Sequence, residues 1–95
     1  MKPILTKEQK TKSAAELAAY CEREISVFEA NVDRYNKMIA ERNAELAEMR
    51  KEGKRETYEY KAMVANRAKM YRDRAFFRGL LSSYMWKWIS ASVAV

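Results

Sequence analysis

Histidine is absent from this 95-residue chain, and with it goes the side chain that most often moves protons and holds metals near neutral pH. Only one cysteine is present, Cys21, so no internal disulfide can form. A reduced, cytoplasmic setting is therefore expected. Glycine occurs twice and proline once, too few for a Gly-rich phosphate loop and too few to interrupt long helices. The start, Met1-Lys2-Pro3-Ile4-Leu5-Thr6, has no apolar stretch of signal-peptide length, and secretion is not expected. The acid pairs Glu22/Glu29, Glu41/Glu45 and Glu45/Glu48 fall at helical spacing, but without histidine beside them they read as a solvated face. No catalytic, metal-binding or cofactor-binding residue is assigned, and the chain is not expected to be an enzyme.

What the chain does have is a seam. From Ala18 through Cys21, Ile25, Phe28 and Val32, then Tyr35, Ile39, Arg42, Leu46 and Met49, large or apolar side chains recur at alternating steps of three and four. A mean step of 3.5 keeps one narrow stripe of a helix turned toward a second helix. Arg42 breaks the apolar rule, and a polar residue at such a position sets register or oligomeric state. Asn31, Asn36 and Asn43 lie beside the stripe, either as interface hydrogen bonders or on a wet face.

Residues 1–12 hold four lysines and the only proline, show no apolar period, and read as a flexible basic arm. Ser13-Ala14-Ala15-Glu16 has the spacing of a capping box, while Thr6-Lys7-Glu8-Gln9 offers an earlier, shorter start. The sequence then predicts helix one over about 13–51, a turn over about 52–56 at Gly53, and helix two over about 57–90. Helix two carries its own repeat, Met63, Met70, Phe77 and Tyr84, with Tyr60, Leu81 and Trp88 adjoining. Two helices of similar length around one turn make an all-α, coiled-coil-like antiparallel hairpin, a single domain over 13–95. Folding about Gly53 would set Trp88 near Ala18 and Leu81 near Ile25. Tyr20, Val27, Met38, Phe76, Leu80 and Trp86 project outside that contact, so dimerisation into a helical bundle is expected.

Charge is divided unequally. Residues 1–53 carry ten Lys/Arg and ten Asp/Glu, whereas residues 54–95 carry nine against three, which accounts for the whole net charge of +6. Residues 1–12 hold four Lys and one Glu, so the stretch from Ser13 to Gly53 is acidic by three, and an acidic first helix and a basic second one would attract each other. Arg67, Tyr71, Arg74 and Arg78 fall within about 60° of one another on helix two. Either they grip phosphates or an acidic partner, or they bridge the groove to Glu24, Glu29, Asp33 or Glu45; the acidity of helix one favours the bridge.

Residues Gly79–Val95 are rich in aromatics, and Trp86 and Trp88 have the character of interface anchors. That stretch is interrupted by Lys87 and four serines, short of the about 20 apolar residues a membrane span needs. Its position after an arginine cluster resembles an interfacial anchor, and membrane-surface contact is the use the sequence favours least.

The expected function is that of a small non-enzymatic helical protein that binds and modulates a larger macromolecular complex, with a nucleic-acid-handling enzyme as one such target. Accessory or inhibitor proteins of viral or phage type share its size and composition. The alternatives are direct nucleic-acid binding through the basic second helix, and a structural or scaffolding coiled coil. A protein partner and a second copy of the chain are the expected partners, nucleic acid the next.

Overall fold

The computed structural model describes the backbone of residues 7–94 and the side chains of residues 13–93. Two helices, α1 (Lys7–Lys51, 45 residues) and α2 (Tyr58–Ala94, 37 residues), lie antiparallel in a single layer measuring 69 × 25 × 14 Å. Helix α1 starts upstream of Ser13: residues 7–12, expected as part of the arm, are helical, since no breaker stands between the Thr6-to-Gln9 cap spacing and the seam. The remainder of the arm, residues 1–6, lies outside the described residues.

The turn closes through ordinary backbone chemistry. Gly53 adopts φ 72°, a left-handed conformation that costs glycine nothing. Its N–H donates to Arg50 O at 3.1 Å and that of Lys54 to Met49 O at 2.9 Å, a Schellman closure of α1. Thr57 then caps α2: its hydroxyl accepts from the Tyr60 N–H at 3.3 Å and donates to Lys54 O at 2.7 Å. The non-helical link thus spans 52–57, one residue longer than expected, and α2 continues to Ala94, past the expected end near residue 90.

That geometry shifts the register by about one helical turn. Trp88 meets Glu22 and Ile25, not Ala18, because the chain folds back around Arg55 and not around Gly53. Among the described residues four cross-helix hydrogen bonds share one register, Trp88 to Glu22, Arg74 to Asn36, Arg67 to Asn43, and Arg50 to the Tyr60 hydroxyl, and a fifth joins the Tyr35 hydroxyl to Asp73. Successive partners of the four on α1 occupy one repeating position of the seven-residue cycle, as do those on α2.

Every member of the α1 seam from Ala18 to Met49 is buried or half-buried. The α2 seam runs Tyr60, Met63, Arg67, Met70, Arg74, Phe77, Leu81, Tyr84, Trp88 and Ala91, again all shielded. Two of its positions are therefore arginines. Among the described residues the buried core is Cys21, Ile39, Leu46, Met70 and Ala91, a small one for a domain of this length. Between these points the helices are joined by an aromatic ladder: Tyr84 packs edge-on to Phe28 at 5.2 Å between centroids, Phe28 lies 6.5 Å from Phe77, and Phe77 stacks on Tyr35 at 5.7 Å. Each such pair contributes about 0.5–1.5 kcal/mol beyond its buried area.

With residues 7–12 included, α1 carries nine Lys/Arg and nine Asp/Glu and is neutral overall, and the basic α2 forms no ion pair with it among the described residues. Among the described residues the four salt bridges are local: Arg42–Glu45, Lys51–Glu48, Lys54–Glu52 and Lys61–Glu56.

Candidate functional site

An antiparallel two-helix seam has two flanks, and here they differ in chemistry. One flank is marked by the bonds of Arg67 and Arg74 to α1, and the other by the Tyr35 hydroxyl donating to Asp73 at 3.4 Å. In the half of the hairpin nearest the turn, the first flank presents Arg50, Lys61, Arg67, Arg74 and Arg78. No Asp or Glu occupies its positions between Asn36 and Arg50 on α1 or between Lys61 and Arg78 on α2. The second flank of the same half carries Glu41, Glu45, Glu48, Glu59 and Asp73 against Arg34 and Lys69. Helical spacing alone sorts the charges this way.

Arg67 donates to Asn43 Oδ1 at 2.9 Å and Arg74 to Asn36 Oδ1 at 3.0 Å. The arginines therefore do bridge the groove, but to amides, and not to Glu24, Glu29, Asp33 or Glu45. A neutral acceptor orients a guanidinium without cancelling its charge. The Arg74 guanidinium also sits 5.0 Å from the Tyr71 ring centroid, a cation–π contact that holds it in place, and its buried Nε has no hydrogen-bond partner. Tyr71 and Arg78 are exposed at the edge of this row. Of the two readings open for the asparagines, Asn36 and Asn43 take the interface one, accepting across the groove at the same seven-residue spacing as Arg74 and Arg67.

Arg42 lies on the α1 seam, with its side chain 26% exposed, and pairs with Glu45 on its own helix at 3.2 Å. Its Nε is buried without a partner. A seam arginine thus reaches outward for its counter-ion and leaves a polar atom in the contact.

The open end, away from the turn, sets exposed apolar side chains among charged ones such as Glu22, Glu29 and Lys87. Leu17 and Val27 on α1 and Met85, Trp86 and Val93 on α2 are all exposed there, Trp86 to 69%, while Phe76, between Arg74 and Arg78 nearer mid-length, is exposed to 64%. Of the residues expected to project outward, Tyr20, Val27, Phe76 and Trp86 do so, whereas Met38 and Leu80 are half-buried along the seam edges. Trp86 lines a shallow groove with Ala14, Leu17 and Ala91. Trp88, on the other flank, is half-buried and donates its indole N–H to Glu22 at 3.0 Å, above a groove it shares with Ile25 and Met85. The two tryptophans thus differ in kind: Trp88 ties the hairpin and Trp86 faces outward.

Two titrating groups are displaced. The Tyr20 phenol is held above its ordinary value by its hydrogen bond with Tyr84 and by the nearby Glu24 carboxylate. The Lys54 ammonium is likewise raised by its bond to Glu52. Among the described residues no cluster of three or more potential metal ligands occurs, and no helix is long and apolar enough to cross a membrane. No protein-family model, no curated protein and no solved structure matches this chain.

Proposed function

We propose that this chain is a non-catalytic binding protein that attaches to a larger macromolecular assembly and modulates it, the assembly being one that handles nucleic acid. The observation that carries this reading is the open end, where a one-layer hairpin leaves Leu17, Val27, Trp86 and Val93 uncovered, with Phe76 exposed nearer mid-length. Exposed apolar patches with an aromatic centre mark protein contacts, and tryptophan is a frequent anchor of such contacts. The excess of cations in the turn-proximal half supports an anionic target, because a charged rod steers its encounters.

A photo-crosslinking amino acid placed at Trp86, compared with one at Glu48 near the turn, tests the assignment in the native host. The expected outcome is a discrete crosslinked protein from position 86 and none from position 48. Equal crosslinking from both positions, or none from position 86, contradicts it.

A further inference from the structure

We infer that the cation-rich flank between Lys61 and Arg78 is a binding site for the phosphodiester backbone of a nucleic acid, separate from the protein contact proposed for the open end. Three observations converge on this. Five cations face one way along about 25 Å of α2 and the adjoining part of α1, at 1.5 Å per residue, with carboxylates only at the two ends: Glu56, paired with Lys61 at 3.4 Å, and Asp33, at the same seven-residue position of α1 as Ala40 and Ala47. Two of the five, Arg67 and Arg74, are fixed by Asn43 and Asn36, so their geometry is set while their charge stays available. Between the cations the flank is floored by Ala40, Ala47, Ala68 and Ala75, side chains too short to hold a ligand backbone away from the guanidiniums.

A flat, rigid, straight strip of positive charge suits a polymer with regularly spaced charges. One duplex strand places a phosphate every about 3.4 Å along its axis, so the strip matches about seven steps of duplex. Guanidinium groups pair with phosphate oxygens in a fork geometry, and Tyr71 offers a ring on which an unpaired base can stack. A second copy of this chain presents carboxylates on its opposite flank, but they are interleaved with Arg34 and Lys69, and Glu45 and Glu48 are already paired with Arg42 and Lys51. An acidic protein surface would need the same spacing by chance. Nucleic acid supplies it by construction.

The test is fluorescence anisotropy of the full chain with a labelled 20-base-pair duplex, the corresponding single strand and poly-glutamate, across a salt series. Backbone binding by four or five cations predicts that affinity falls about 150- to 500-fold between 50 and 200 mM salt. Lys61→Gln with Arg78→Gln, at the two ends of the strip and bonded to nothing on α1, is expected to lower affinity at least tenfold and flatten the salt dependence by about two counter-ions. Circular dichroism should show the fold unchanged in that variant. Glu41→Gln with Glu48→Gln on the opposite flank should leave affinity equal or higher. A preference for single strand over duplex would assign Tyr71 a stacking role within the same site, checked by Tyr71→Leu. Binding to poly-glutamate as tight as to nucleic acid, affinity unmoved by the Lys61/Arg78 pair, or no binding at 50 mM salt would overturn the inference, and a Trp86→Ser variant that still binds keeps it distinct from the open-end contact.

Discussion

Arg67 reaches across the hairpin to place its guanidinium 2.9 Å from the side-chain oxygen of Asn43, one heptad from the matching bond of Arg74 to Asn36. The repeat of one donor–acceptor pair at one register makes these bonds a structural clamp as well as part of a charged surface. Shifting either helix by one turn would break both at once.

Removing the acceptor therefore has a defined cost. Asn43→Ala should destabilise the hairpin by about 1 kcal/mol, the ordinary net worth of one such bond. Asn36→Ala with Asn43→Ala together should cost about twice that in urea unfolding, the sites being far enough apart to add. A double variant as stable as the parent would show that the bonds contribute nothing to register.

Arg42 makes the opposite case. Its pair with Glu45 joins neighbours on one helix, worth about 0.3–0.5 kcal/mol, while its buried Nε goes unsatisfied inside a seam otherwise built of apolar groups. Arg42→Leu should raise the melting temperature by several degrees. If polarity at this position also selects register or oligomeric state, the same variant will show a changed mass in light scattering.

The open end predicts association. At tens of micromolar the chain should show a concentration-dependent mass approaching a dimer, and Phe76→Ser with Trp86→Ser should return it to monomer without loss of helicity, both residues being exposed in the single chain. A strictly monomeric parent at that concentration would remove self-association, leaving a different protein to cover those side chains.

Stability should depend little on pH from about 6 to 7.5, since the chain has no histidine. Tyr20 and Lys54 both have raised values, so both stabilise the fold below the unfolded-state value near pH 10 and lose that contribution as pH climbs through the folded value. The melting temperature should fall above about pH 10, less steeply in Tyr20→Phe. A marked transition near pH 6.5 would require a titrating group other than these two.

The helical hairpin was legible because breakers are scarce and the α1 seam is nearly unbroken; all ten of its positions are shielded. The second seam was only half legible. Met63, Met70, Phe77 and Tyr84 announce one heptad position, but its companion reads Tyr60, Arg67, Arg74, Leu81, Trp88, and two arginines in a core stripe look like surface residues. Register was misjudged by a turn because Gly53 ends α1 without being the pivot: Lys54 to Thr57 add a further closed turn capped by the Thr57 hydroxyl. That offset carries Arg67 and Arg74 to amides, where an acidic helix suggested carboxylates. Function is less legible still, since neither an uncovered apolar end nor a basic strip names its ligand.

Whether Arg67 and Arg74 keep their charge for an outside anion is tested most directly by Asn36→Asp with Asn43→Asp. Each substitution gives an arginine a carboxylate at the same place, turning a neutral bond into a charge-assisted one. The expected result is a hairpin of equal or higher melting temperature whose affinity for a DNA duplex at 100 mM salt falls at least tenfold. Undiminished affinity in a folded double variant would contradict a phosphate-binding flank built on those two guanidiniums.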